Sequence, residues 1–187
     1  SPEVYLSITR AQAAGTETFN EDGTDYEDRV HDLAMLVFDS STGAKVCEYY
    51  DTNIPFTEKI KTYTVKMTPG QRDFYFVSNM PMTAFSSITN RTDMDAYMAA
   101  MNNLDAALYQ NATETKGFPM SRIYTNQTIG FGGTAMSPLP FKPGGEDAVK
   151  LIRVVAKLEV QIPDADFNNH ITKITLKNAF SQYRLDF

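Results

Sequence analysis

The chain has 187 residues, 42% of them hydrophobic, with 17 basic and 23 acidic side chains for a net charge of -6. That length suits one large domain able to fold without staples, and the apolar content is that of a globular protein rather than a disordered one. The acidic balance withholds the basic footprint that phosphate neutralisation needs, which excludes nucleic acid as a partner and argues against docking on anionic lipid. No stretch reaches the roughly 18 consecutive apolar residues of a membrane helix. Cys47 is the single cysteine, so no disulfide forms within the chain. No leader precedes the first strand-like run, which predicts a mature or trimmed form.

Short alternating runs separated by turn residues dominate. In the first, over residues 4–9, Val4, Leu6 and Ile8 share one face and Tyr5, Ser7 and Thr9 the other. Residues 11–28 follow, polar, acidic and without period. Loops beyond about 12–15 residues are uncommon in compact domains and usually serve a function. Over 30–38, Leu33, Met35 and Val37 alternate with Ala34, Leu36 and Phe38, predicting a strand covered on both faces. Asp39-Ser40-Ser41-Thr42-Gly43 reads as a turn, after which the chain returns over 45–50. Strands over 59–67 and 72–78 are joined by Thr68-Pro69-Gly70-Gln71, where Pro presets φ and Gly accepts a positive one.

One segment has helical period. Met94, Tyr97, Met98 and Met101 stand at i, i+3, i+4 and i+7, predicting a helix over 93–102 capped by Thr92 or Asp93. Its Met94, Tyr97 and Met101 are expected to pack against a sheet or across one end of the sandwich. Short strands are predicted over 118–124 and 127–131, and a Pro-rich loop over 138–145. The longest strand candidate is 148–162, with Ile152, Val154, Ala156, Leu158, Val160 and Ile162 on its apolar face. Strands over 171–178 and 182–187 close the series. The chain stops within the alternation Tyr183, Leu185, Phe187, predicting a piece of a longer protein. The pattern as a whole predicts an all-β, two-layer sandwich of about seven or more strands with one short helix. Leu33, Met35, Val37, Ile152, Val154 and Leu158 are expected in its core.

Catalytic and metal chemistry lacks its residues. Zinc needs three or four well-spaced ligands, against one cysteine and the isolated His31 and His170. Cys47 stands in the strand-like Val46-Cys47-Glu48-Tyr49 beside an acid, the wrong setting for a thiolate. Gly130-Phe131-Gly132-Gly133-Thr134-Ala135 has the letters of a dinucleotide fingerprint, but Ser137-Pro138-Leu139-Pro140 cannot be the helix that must follow. In the acidic run 20–28, aligning Gly23 with the glycine of a calcium loop leaves Thr18 and Arg29 at the end positions, where ligands are required. The sequons at Asn90, Asn111 and Asn126 carry no weight without a eukaryotic secretory setting. No cofactor, metal or enzymatic activity is expected.

Several segments in order resemble the fimbrillin family, the pilin subunits of Bacteroidetes-type fimbriae. Residues 27–39 are similar to its acid-led strand ending in an apolar-Phe-Asp turn, here Val37-Phe38-Asp39. Phe74-Tyr75-Phe76-Val77-Ser78-Asn79 resembles its aromatic strand ending in Asn, and Gly117-Phe118-Pro119-Met120-Ser121 its Pro-Met-Ser element. Residues 151–160, with Arg153, Ala156 and Lys157, resemble its Arg-x-x-Ala-Lys strand, and 171–178 the strand leading to a second domain.

The resemblance implies a transthyretin-like N-terminal β-sandwich over residues 1–187, with a second, C-terminal domain outside this chain. It implies export as a lipoprotein precursor and display in a fimbria at the outer membrane. It implies a trypsin-like maturation protease that cuts behind the first strand, and other pilin subunits as partners, one of which supplies a replacement strand. The displaced strand would be that of Val4, Leu6 and Ile8. Arg10 is the first basic residue after it, and Arg29 is the alternative cut site because Arg10 lies tight against the strand. Adhesion to a host or bacterial surface ligand is the implied outcome. A surface lipoprotein adhesin or carbohydrate-binding sandwich is the alternative; such sandwiches expose aromatics, often Trp, and this chain has 0 Trp and 10 Tyr. A hydrolase would need paired carboxylates in one cleft, and the sequence locates no such pair.

Overall fold

The computed structural model describes residues 2–10, 26–55, 57–103, 112–155, 172–177 and 179–186. In chain order these contain β1 (Val4–Arg10), β2 (Leu33–Asp39), β3 (Lys45–Asp51), β4 (Lys61–Met67), β5 (Gly70–Ser78), α1 (Arg91–Ala99), β6 (Asn102–Asn103), β7 (Met120–Ile129), β8 (Leu139–Pro140), β9 (Ile152–Arg153) and β10 (Gln182–Tyr183). An antiparallel five-stranded sheet, β3-β2-β5-β7-β9, packs on a three-stranded sheet, β4-β1-β8, and β6 pairs with β10. The all-β sandwich expected from the alternation is the architecture found.

The two apolar faces of β2 go to two different cores. Leu33, Met35 and Val37, all buried, meet β1 and β4 across the sandwich together with Phe74 and Phe76 of β5. Ala34, Leu36 and Phe38 point the other way and join Tyr75 and Val77 beneath α1, Phe85 and Leu185. A central strand with helix on one side and sheet on the other must be apolar at every position.

Two turns are pinned by one carboxylate and one buried guanidinium. Asp39 Oδ1 accepts from the backbone N–H and hydroxyl of both Ser41 and Thr42, which closes the β2–β3 turn. Its other oxygen pairs with Arg72 at 2.6 Å. Arg72, 5% exposed, also donates to the carbonyls of Thr68 and Pro69. It therefore anchors the Pro-Gly turn, at which the chain crosses from the three-stranded to the five-stranded sheet and Gly70 adopts φ 133°.

Several expectations are corrected. The helix begins earlier, because Asn90 caps it: its Oδ1 accepts from the Asp93 N–H at 2.9 Å. It ends at Ala99, since Ala100 turns extended toward β6. Met101 therefore lies beyond the last turn and is 57% exposed; Met94 and Met98 make the buried seam, with Tyr97 half-buried against Phe85. The strands expected over 118–124 and 127–131 are one strand, β7. Thr125 and Asn126, the latter at φ 53°, form a bulge in β7 opposite the single residue Asp73 of β5, whose carboxylate accepts the Asn126 N–H at 2.8 Å. The 138–145 loop contributes β8, paired parallel to β1.

Over 148–155 the expected inward face is the wrong one. Val149 and Leu151 are buried in the sandwich core, whereas Ile152 is half-buried and Val154 packs toward the helix side. The physical reason is a change of sheet: Val149 bridges β1, and two residues after Leu151 Arg153 pairs with β7. Leu158 and the remainder of that candidate lie outside the described residues. Residues 172–177 contain no strand, and Ile174 and Leu176 are exposed.

Candidate functional site

β1 is the middle strand of the three-stranded sheet. Toward β4 it makes a full antiparallel ladder of seven residue pairs, Val4 with Met67 through Arg10 with Lys61. Toward β8 it has two parallel pairs, and beyond them the N–H of Phe141 donates to the Ser7 carbonyl and that of Val149 to the Thr9 carbonyl. The period-two burial predicted from the sequence is present: Val4, Leu6 and Ile8 are 1%, 3% and 1% exposed. Each such side chain contributes about 1.5–3 kcal/mol on burial. Roughly 5–9 kcal/mol of gross stabilisation therefore sits in these three residues, before the entropy of ordering the strand.

Arg10 continues the inward series and is itself 1% exposed. Its guanidinium donates to the Glu58 carbonyl at 3.0 Å and, more weakly, to the Lys59 carbonyl at 3.4 Å, both in the turn before β4. It also lies against the Tyr63 hydroxyl, which burial pushes up to about 12 while the nearby guanidinium pulls it down. Tyr63 donates to Asp51 at 3.0 Å, and Lys61 bridges Asp51 and Glu58 at 3.0 and 2.9 Å. The sequence alone did not locate this seat, although the signal was present: the period of two runs on through Arg10. Arg29, the alternative cut site, is half-buried and donates to the Glu114 carbonyl. Between Arg10 and Arg29 the sequence holds no Lys or Arg. Residues 11–25, the greater part of the intervening loop, lie outside the described residues.

Other chemistry-bearing side chains are committed to structure. Cys47 is half-buried, and burial with Glu48 beside it pushes the thiol up to about 11, so it stays protonated. A cleft of about 440 Å³ lies at the end of β5, lined by His31, Asp32, Asn79, Met80 and Tyr183 among others. Its Asp32 carboxylate accepts the Asn79 N–H at 2.6 Å. Among the described residues no group of His, Cys, Asp and Glu could hold a metal ion.

The chain matches the family described as major fimbrial subunit protein (FimA) over residues 4–159. It is 52% identical over 189 residues to the minor fimbrium tip subunit Mfa3 of Porphyromonas gingivalis, across 98% of this chain.

The chain belongs to this fimbrial subunit family.

The solved structure of the tip fimbrial protein Mfa3 with a C-terminal truncation superposes with a TM-score of 0.87 at 50% identity, covering 98% of this chain and 59% of that one. A putative cell adhesion protein of Parabacteroides distasonis shares the fold at a TM-score of 0.54 and 16% identity, covering 81% of this chain and 46% of that one. This fimbrillin spans 42% of the length of the curated relative it matches. The family is one of structural subunits of cell-surface fimbriae rather than of enzymes.

Proposed function

We propose that this fimbrillin domain is the strand-accepting, N-terminal sandwich of a fimbrial subunit of tip type. In this reading a trypsin-like protease cuts behind β1, at Arg10 or at Arg29, and a strand of another subunit takes the place of β1. The observation that carries the reading is the position of β1: a central, apolar strand flanked by β4 on one edge and only a short parallel contact on the other. Removing it leaves two edges with unpaired backbone groups and pockets for three apolar side chains, a surface that recruits a strand. Identity to a protein named as a tip subunit supports the tip assignment. A second domain in the complete subunit, the transthyretin-like class of the sandwich, export as a lipoprotein to the outer membrane, and adhesion to a host or bacterial surface belong to the same reading.

A buried Arg10 side chain cannot enter a protease pocket while β1 is seated. Cutting there therefore proceeds through opening of the strand end. Limited trypsin digestion of the full-length subunit, followed by mass spectrometry and electron microscopy, tests the reading. Polymers whose subunits have lost residues 1–10 support it. Polymers that retain them on the same subunit, or assembly unaffected by Arg10→Ala combined with Arg29→Ala, defeat it.

A further inference from the structure

The apolar part of the β1 seat cannot by itself specify where a strand stops. A strand that slips by two residues keeps every side chain on its own face, so alternating apolar pockets tolerate the slip. The far end of the seat is different in kind. It holds a buried guanidinium on the carbonyls of Glu58 and Lys59 and against the Tyr63 hydroxyl, all supplied from outside β1. Nearby, Lys61 bridges the carboxylates of Asp51 and Glu58, and the Tyr63 hydroxyl beside the guanidinium donates to Asp51. Without β1 this corner loses the guanidinium that donates to the Glu58 carbonyl at 3.0 Å, and with it the positive charge beside Tyr63.

We infer that the groove takes a strand from another subunit whose inward residues read apolar, apolar, apolar, cation at alternate positions, running in the direction of β1, and that the cation seat sets its register. The inference rests on the reading of the groove as a strand-accepting site. An apolar residue at the last position takes away the donor that the Glu58 carbonyl has from Arg10, and an acid there adds repulsion from Asp51 and Glu58. A basic residue restores a charged donor to the Glu58 carbonyl.

The test uses the full-length subunit with a recognition site for a protease of non-tryptic specificity inserted between residues 11 and 25, cut after purification so that β1 is seated but untethered. A fluorescent peptide of residues 2–10, amidated at its C-terminus, is exchanged into the groove and displaced by unlabelled variants. The native peptide should compete best, with Arg10→Lys between it and Arg10→Met, because lysine keeps the charge but not the two-pronged donor. Arg10→Met should be at least about 10-fold weaker and Arg10→Glu at least about 100-fold weaker. Leu6→Asp should not compete. If Arg10→Met competes as well as the native peptide while Leu6→Asp fails, the groove accepts strands but the cation seat does not select them, and the inference falls alone. If the native peptide never enters, the strand-accepting reading falls and takes the inference with it.

Discussion

The side-chain amide of Asn79 fills the space that a β-carbon on Gly117 would need. The same position would also come within 2.8 Å of the Arg29 carbonyl. Asn79 Nδ2 donates to the carbonyls of Arg29 at 2.8 Å and Phe118 at 2.7 Å, while its Oδ1 accepts the His31 N–H at 2.9 Å. Three chain segments thus meet on one side chain, itself at φ 60°. The two fimbrillin motifs that end in Asn79 and begin at Gly117 are halves of one joint.

Gly117→Ala should destabilise the domain by about 1–3 kcal/mol through overpacking. Asn79→Ala should cost about 2–4 kcal/mol through the three backbone groups it leaves without a partner. The two should not add, because the first change presses on the side chain that the second removes. Urea unfolding of the singles and the double checks this; strict additivity would sink the interlock.

Met98→Asp should cost about 2–4 kcal/mol, since that side chain is buried beneath α1, while Met101→Asp should stay within about 0.5 kcal/mol. Thermal melts of the pair decide where the helix seam ends. Equal losses would mean that the helix continues past Ala99.

Asp39→Ala removes the acceptor that closes the β2–β3 turn and leaves Arg72 buried beside it without its carboxylate. A loss of about 2–4 kcal/mol is expected. Asp39→Asn, which keeps one acceptor oxygen for the turn, should recover part of it. An Asn variant no better than Ala would assign the whole effect to the ion pair.

Asp32 has its carboxyl pushed from 3.8 up to about 6 by burial, against the pull of the Asn79 and Met80 N–H groups. A carboxyl raised on folding takes up a proton when the chain folds, so its contribution is fully present below about pH 4 and is lost as pH rises through 6. His31 beside it is lowered by burial and by Arg29, and acts in the opposite direction. Asp32→Asn should therefore gain on the wild type steadily between pH 4 and 6, with His31 common to both. Denaturant titrations across that window measure the difference; a gap that does not change with pH would count against a raised Asp32.

Leu6→Ala should cost about 2–4 kcal/mol and speed trypsin cleavage after Arg10 by at least about 10-fold, because cutting tracks the open population of the strand. Peptide mapping over time gives the rate. An unchanged rate would mean that Arg10 is reached without opening β1.

Much of this was legible in the sequence, and the parts that were not share a cause. β1 and β4 stand out because each buries residues with an unbroken period of two, and β2 and β5 because both of their faces are covered. Where the chain changes sheet, as between Val149 and Arg153, that period breaks, and inward residues such as Leu151 were assigned to the wrong face. Met101 failed for a related reason: four methionines and aromatics at helical spacing do not reveal that Ala100 leaves the helix. β8 is invisible in principle, since Leu139-Pro140 pairs only because β1 lies beside it. The seat of Arg10 required two distant segments, the turn before β4 and the edge of β3, to be brought together by the fold.

The full ladder between β1 and β4 has a mechanical consequence. A strand seated there and pulled along its own axis loads all seven residue pairs in parallel, so they must shear together rather than peel one after another. The last inward side chain adds a hook: Arg10, turned into the carbonyls of Glu58 and Lys59, must leave its seat before the strand can slide toward its N-terminus. A fibre joined through such strands would carry tension along the direction in which each joint resists most.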